Sequence, residues 1–204
     1  MTKRIGFTIF AIMCISIGLY PLVYFLMERT FGLLGSKSDV VLSDVFWNIG
    51  FYTHILLGGL ALLIGWMQFS KKLRAKNLKL HRAIGKVYTI SVLFSGLASL
   101  YIAYFATGGI VPMLGFMGLG LVWLYSTTLG YMAIKKGQVN KHQKFMIYSY
   151  AACFAAVTLR IWLPLLTMAF QEFLIAYKIV AWLCWVPNII VAYFVVKRLG
   201  LSNA

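Results

Sequence analysis

The sequence predicts an all-α integral membrane protein with six transmembrane helices and both termini in the cytoplasm, spans two to five forming a four-helix core. Three observations carry that expectation. Of the 204 residues, 62% are apolar and 11% charged, against about a quarter charged in a soluble domain. Six apolar runs reach the roughly 20 residues that cross a bilayer as a helix. Fifteen of the 19 basic residues fall in gaps on one side of those runs, and all four acids, Glu28, Asp39, Asp44 and Glu172, fall on the other. Short loops rich in Lys and Arg stay in the cytoplasm, which orients the chain.

The spans follow in order. Ile5–Met27 comes after Lys3 and Arg4. It is longer than the roughly 7–15 residues of a signal h-region and lacks a small-x-small cleavage site near its end, so it reads as a retained span. A loop over residues 28–45, containing Gly, Ser and Asp, is the one sizeable external segment. Phe46–Phe69 is span two. The stretch Ser70–Lys86 then carries seven Lys/Arg and no acid. Ala83–Ala106 and Ile110–Ile134 are spans three and four, joined by the tight turn Thr107-Gly108-Gly109. Phe145–Phe170 and Phe173–Val196 are spans five and six, joined at Gln171-Glu172. Pro164 and Pro187 are expected to kink their helices, with Asn188 satisfying freed backbone groups. No linker, low-complexity tract or repeat stands out, so residues 1–204 read as one polytopic domain.

The net charge of +15 would suggest nucleic acid in a soluble chain. Here the charges sit in short loops beside apolar runs. They are a topology signal and a source of attraction to anionic lipid headgroups on the cytoplasmic side. Cys14, Cys153 and Cys184 each lie inside an apolar run without a Cys-x-x-Cys pair, and read as buried small hydrophobes.

Ionisable groups inside a membrane are costly and are functional candidates. His54, Arg160 and Lys178 fall inside spans, with His81 and His142 at the cytoplasmic boundary. No Asp or Glu lies deep in a span to serve cation-coupled transport. On a helix, His54, Gly58, Ala61, Gly65 and Gln68 form one stripe, polar at both ends and nearly free of side chains between. His81, Gly85 and Tyr88 share a face of span three. His142, Met146, Ser149, Cys153, Ala156 and Arg160 form a third stripe, its ends about 27 Å apart on a continuous helix.

One chemistry that fits is haem b held between helices by axial histidines, with basic groups for the propionates. An inner site would use His81 and His142 as iron ligands, with Arg82, Lys86 or Lys144 near the propionates. An outer site would pair His54 with Met117, and Gly58 and Gly65 would leave room for the porphyrin. Each residue also has a plainer account. His54 suits a structural hydrogen bond across helices; His81 and His142 suit headgroup contact or helix capping. The glycine stripe suits close helix packing, and Met113 and Met117 suit core or lipid-facing filler. Arg160 needs an anion or several carbonyls; Asp39, Asp44 and Glu172 are the ion-pair candidates, and an anionic ligand is the alternative. Lys178 is placed to snorkel.

His54 with Gly58, Gln68, the run Leu80-His81-Arg82-x-x-Gly85-Lys-x-Tyr88, the run Lys141-His142-x-x-Phe-Met146-x-x-Ser-Tyr150 and Thr158-Leu-Arg160 together resemble the domain-of-unknown-function 2306 family of bacterial predicted membrane proteins, over about residues 50–170. The resemblance implies roles for His54, Gln68, His81, Arg82, His142 and Arg160, and implies no activity. Tyr148 departs from it, standing where a basic residue is expected. A looser likeness is to the ascorbate-reducing transmembrane cytochromes b, which pair histidines between spans two and four and between three and five; span four here has no histidine.

The expectation is therefore a haem-binding electron-transfer protein of the bacterial cytoplasmic membrane, with a redox partner or a quinone and no nucleic acid. Two alternatives stay open. One is a carrier or receptor for a small anionic or lipid-like molecule contacting Arg160 and His54. The other is a non-haem metal site built from His and Met.

Overall fold

The computed structural model describes residues 2–29 and 32–202; side chains are described from Ile5 onward. The Lys3 and Arg4 side chains, and Thr30 and Phe31 in the expected external loop, lie outside the described residues. Every regular element among the described residues is helical. Six helices are long and apolar enough to cross a membrane: Ile5–Leu26, Val45–Phe69, Leu78–Tyr104, Ile110–Lys135, Val139–Phe170 and Phe173–Arg198. The chain is a multi-pass membrane protein.

Two helices begin earlier than their apolar runs. The third starts at Leu78 rather than Ala83 and the fifth at Val139 rather than Phe145. Lys and Arg are good helix formers, so a basic flank extends the helix. At the third helix Asn77 Oδ1 caps the first turn, accepting from the Leu80 amide at 2.9 Å. The preceding basic stretch is also ordered. A short helix, Lys71–Lys76, is capped by Ser70 Oγ, which accepts from the Leu73 amide at 3.2 Å. The segment before span two is similarly structured. A 3-10 turn spans Gly32–Ser36 and a short helix spans Asp39–Ser43. Asp44 caps span two, its Oδ1 accepting from the Trp47 amide at 2.8 Å. Arg29 donates to the Asn48 side-chain oxygen, and Asn48 Nδ2 donates to the Leu42 and Asp44 carbonyls.

The chain divides into two compact units, Met1–Ser95 and Gly96–Ala204. In the first, span one buries Ala11, Cys14, Gly18 and Pro21, spaced three or four apart along one face, and exposes apolar residues such as Ile9, Ile12 and Phe25. That face meets span two backbone to backbone. A Cβ at Gly59 would stand 2.7 Å from the Gly18 carbonyl oxygen, and one at Gly18 would stand 3.0 Å from that of Gly59. Close approach through small residues is how helices associate where lipid removes the hydrophobic drive. Trp47 stacks on Phe51 at 5.1 Å, and Tyr24 meets Phe51 edge-on.

In the second unit, span four is the glycine-rich member. A Cβ at Gly115 would stand 2.8 Å from the Ala181 carbonyl oxygen of span six, and one at Gly130 would stand 2.8 Å from Met146 Sδ of span five. Gly108 and Gly109 adopt φ of +95° and +87°, which only glycine takes readily; this is why the turn between spans three and four is so short. The exposed stem of Lys178 lies against Gly108, its Cε 3.4 Å from where a Cβ would stand. All three cysteines are buried and none is in a disulfide.

Spans five and six are each interrupted. Span five is helical over Val139–Cys153 and Ala155–Phe170, with a turn at Phe154. Pro164 therefore does not mark the interruption; helix runs through it. Span six breaks between Leu183 and Val186, just before Pro187, as its sequence suggests. The two interruptions are stapled. Thr158 Oγ1 donates to the Cys184 carbonyl. Asn188 Nδ2 lies 2.9 Å from the same carbonyl, 3.1 Å from Thr158 Oγ1 and 3.3 Å from the Ala151 carbonyl.

Candidate functional site

In the first unit the two ends of the span-two stripe both meet span three. His54 Nδ1 lies 3.1 Å from the Ser95 carbonyl oxygen and 3.1 Å from Ser95 Oγ, and Ser95 Oγ donates back to the His54 carbonyl at 2.9 Å. Ser95 is wholly buried. A carbonyl only accepts, so this geometry places a proton on Nδ1; in the neutral tautomer Nε2 is then the basic nitrogen. At the other end, Gln68 Oε1 lies 3.6 Å from where a Cβ on Gly85 would stand. The Gln68 amide nitrogen is buried with no acceptor among the described residues. Gly85 sits between His81 and Tyr88 on span three. His81 is half-buried with its Nδ1 sealed from solvent, and Tyr88 is fully buried. Arg82 and Lys86 are exposed. Gly58 is half-buried, whereas the backbone contact with span one falls on its neighbour Gly59.

In the second unit His142 Nδ1 lies 2.8 Å from the Gly130 carbonyl of span four, the same proton placement as at His54. Gly130 has no side chain to hold this approach off. One turn deeper, buried Thr127 and Ser149 share a hydrogen bond of 2.6 Å. Lys144 donates to the Ser202 carbonyl at 2.8 Å, tying down the C-terminal segment, whose Leu201 packs with Ile147, Ala192 and Val196; Tyr148 lies against that cluster. Arg160 is half-buried, and its Nη1 donates to the Ala156 carbonyl at 3.0 Å. Pro164 has no amide proton, so it removes the helical partner of the Arg160 carbonyl. The interruption at Phe154 also turns the helix face. Ser149 and Cys153 are buried before it, but Ala155 and Val157 are buried after it, while Ala156 and Arg160 are half-exposed. The expected straight stripe from His142 to Arg160 thus bends. Met117 is half-buried in span four.

Among the described residues, no group of three or more His, Cys, Asp or Glu side chains is gathered as a metal-ion site. Ser95 and Thr127 are polar residues outside the sequence-derived stripes, whereas Ser149 lies on the third stripe and Asn188 meets backbone carbonyls as expected. Ser95 did carry a signal: it lies on the helical face of His81, Gly85, Tyr88 and Val92, at steps of three or four.

A family model described as "Predicted membrane protein (DUF2306)" matches residues 51–196, well over half the chain. The match takes in the candidate histidines, Gln68 and Arg160. No curated protein and no solved structure matches the chain, so the looser likeness to ascorbate-reducing cytochromes b gains no support.

Proposed function

The chain belongs to the DUF2306 family of predicted membrane proteins, and from that premise we propose that it binds haem b and transfers electrons within the bacterial cytoplasmic membrane. The observation that supports this reading is the proton placement on two span histidines, one within span two and one in the opening turn of span five. His54 and His142 each turn Nδ1 onto a backbone carbonyl. An iron-ligating imidazole has this outer-shell partner, which fixes the tautomer, orients the ring and raises the basicity of Nε2. A purely structural histidine gains no such advantage from keeping Nε2 basic.

In this reading His81 and His142 would hold the iron of one haem. Each is the fourth residue of its helix, Leu78–Tyr104 and Val139–Cys153, beside basic residues suited to propionates. Arg82 and Lys86 serve that role on span three; Lys144 is engaged by the Ser202 carbonyl. His54 with Met117 would be the candidates for a second haem. A bound haem supplies one-electron chemistry. The basic residues beside each histidine would neutralise the carboxylates, and the carbonyl partner of His142 would orient its imidazole. A membrane-soluble quinone or a protein redox partner exchanges the electron. The asymmetry of basic residues gives both termini to the cytoplasm.

The absorption spectrum of the purified protein is the test. A Soret band that His142→Ala removes supports the reading, and a colourless protein rejects it. A second reading is favoured by the interrupted helices beside Arg160, since broken spans build midplane binding sites in carriers. There Arg160 would hold a small anionic or lipid-like ligand. Arg160→Lys, which loses the planar fork, would abolish transport or binding of that ligand and leave any haem spectrum intact.

A further inference from the structure

The segment between spans two and three holds a feature that the haem reading does not use. Ser70, Lys72, Leu73, Lys76, Asn77 and Leu80 line a shallow recess of about 470 Å³. It lies between Phe69, where span two ends, and the opening turn of span three, which starts at Leu78. That is the level of lipid headgroups.

The polar lining offers donors. Ser70 Oγ and Asn77 Oδ1 already accept from the Leu73 and Leu80 amides as helix caps, so what they present is a hydroxyl proton and an amide NH2. Lys72 and Lys76, one turn apart on the Lys71–Lys76 helix, are donors only. The surrounding segment adds Lys71, Arg74, Lys79, Arg82 and Lys86 with no acid from Ser70 to Lys86. Leu73 and Leu80 add the apolar part of the lining.

We infer that this recess binds the phosphate of an anionic phospholipid headgroup. Donors with two lysines match a phosphate, and two leucines in the lining beside two span ends match the glycerol and upper acyl chain rather than a free anion. The inference stands apart from the haem reading, because none of the recess residues is a proposed ligand.

The test uses the full chain reconstituted in phosphatidylcholine vesicles and spin-labelled lipids. Association of spin-labelled phosphatidylglycerol is measured relative to spin-labelled phosphatidylcholine. The native chain should prefer phosphatidylglycerol. Lys72→Gln with Lys76→Gln should reduce that preference about tenfold. Lys135→Gln with Lys136→Gln removes equal charge from another loop and should leave the preference nearly unchanged. Millimolar inorganic phosphate should not compete. Equal losses in both double variants would mean a diffuse basic field and overturn the site. Competition by inorganic phosphate would overturn the lipid and assign the recess to the free anion. No loss in either variant would overturn both. Circular dichroism of each variant separates these outcomes from misfolding.

Discussion

Ser95 meets His54 three ways, through its carbonyl and through its hydroxyl as partner of both the ring and the His54 carbonyl. Ser95→Ala keeps the carbonyl contact and loses the hydroxyl ones. Hydrogen bonds between membrane helices average about 0.6 kcal/mol, so thermal unfolding in detergent should show a loss of that order. His54→Ala leaves buried Ser95 without its ring partner and should cost more, about 1–3 kcal/mol. Lys37, outside the spans, gives a pH signature. Burial lowers its pKa from 10.5 to about 8. Below pH 8 the lysine is charged whether the chain is folded or unfolded, and the folded state bears the desolvation cost. Between 8 and 10.5 the unfolded chain keeps a proton that the folded chain has released, so stability rises with pH. Above 10.5 both states are neutral. Unfolding measured across this window should show the rise, and Lys37→Met should flatten it. A slope unchanged by that substitution would contradict the assignment.

At the scale of elements, the pairing of spans one and two rests on carbonyls that cannot give way. Gly59→Ala puts a methyl 2.7 Å from the Gly18 oxygen and should destabilise by about 1–3 kcal/mol. Gly6→Ala, on the same spanning helix as Gly18 and with nothing within 4 Å, should be neutral or mildly stabilising. Melting temperatures of the two variants test the contrast. Asn188→Leu should destabilise the interrupted spans more than Ser95→Ala does, because it leaves the Ala151 and Cys184 carbonyls short of a donor. The six spans and their tight turns were legible in the sequence, since length, hydropathy and Gly108-Gly109 carry that information locally. Helix starts were legible only to within five or six residues, because Lys79, Arg82 and Lys141 prolong a helix that hydropathy ends. The interruption at Phe154 was not legible at all. No glycine or proline flanks it, and Pro164 drew the expectation elsewhere. What holds the turn is Thr158 and Asn188, partners brought together only by tertiary packing.

For the molecule as a whole, composition was enough to place the chain in a membrane, and the residues gathered in its stripes were enough to place it in its family. The partners of those residues were not. Gln68 beside Gly85 and His142 against Gly130 depend on which helices face one another, which the sequence does not state. Cysteines introduced beside Lys136 and after Arg198 should react with an impermeant thiol reagent only from the cytoplasmic face, and labelling of either from outside would reverse the orientation. The central claim, that His142 keeps Nε2 basic and would ligate iron together with His81, is tested most directly by the visible spectrum of the protein purified from haem-replete cells. A Soret band lost in His81→Ala and in His142→Ala, with helicity retained in both, is the predicted result; a native protein with no Soret absorption under those conditions would contradict it.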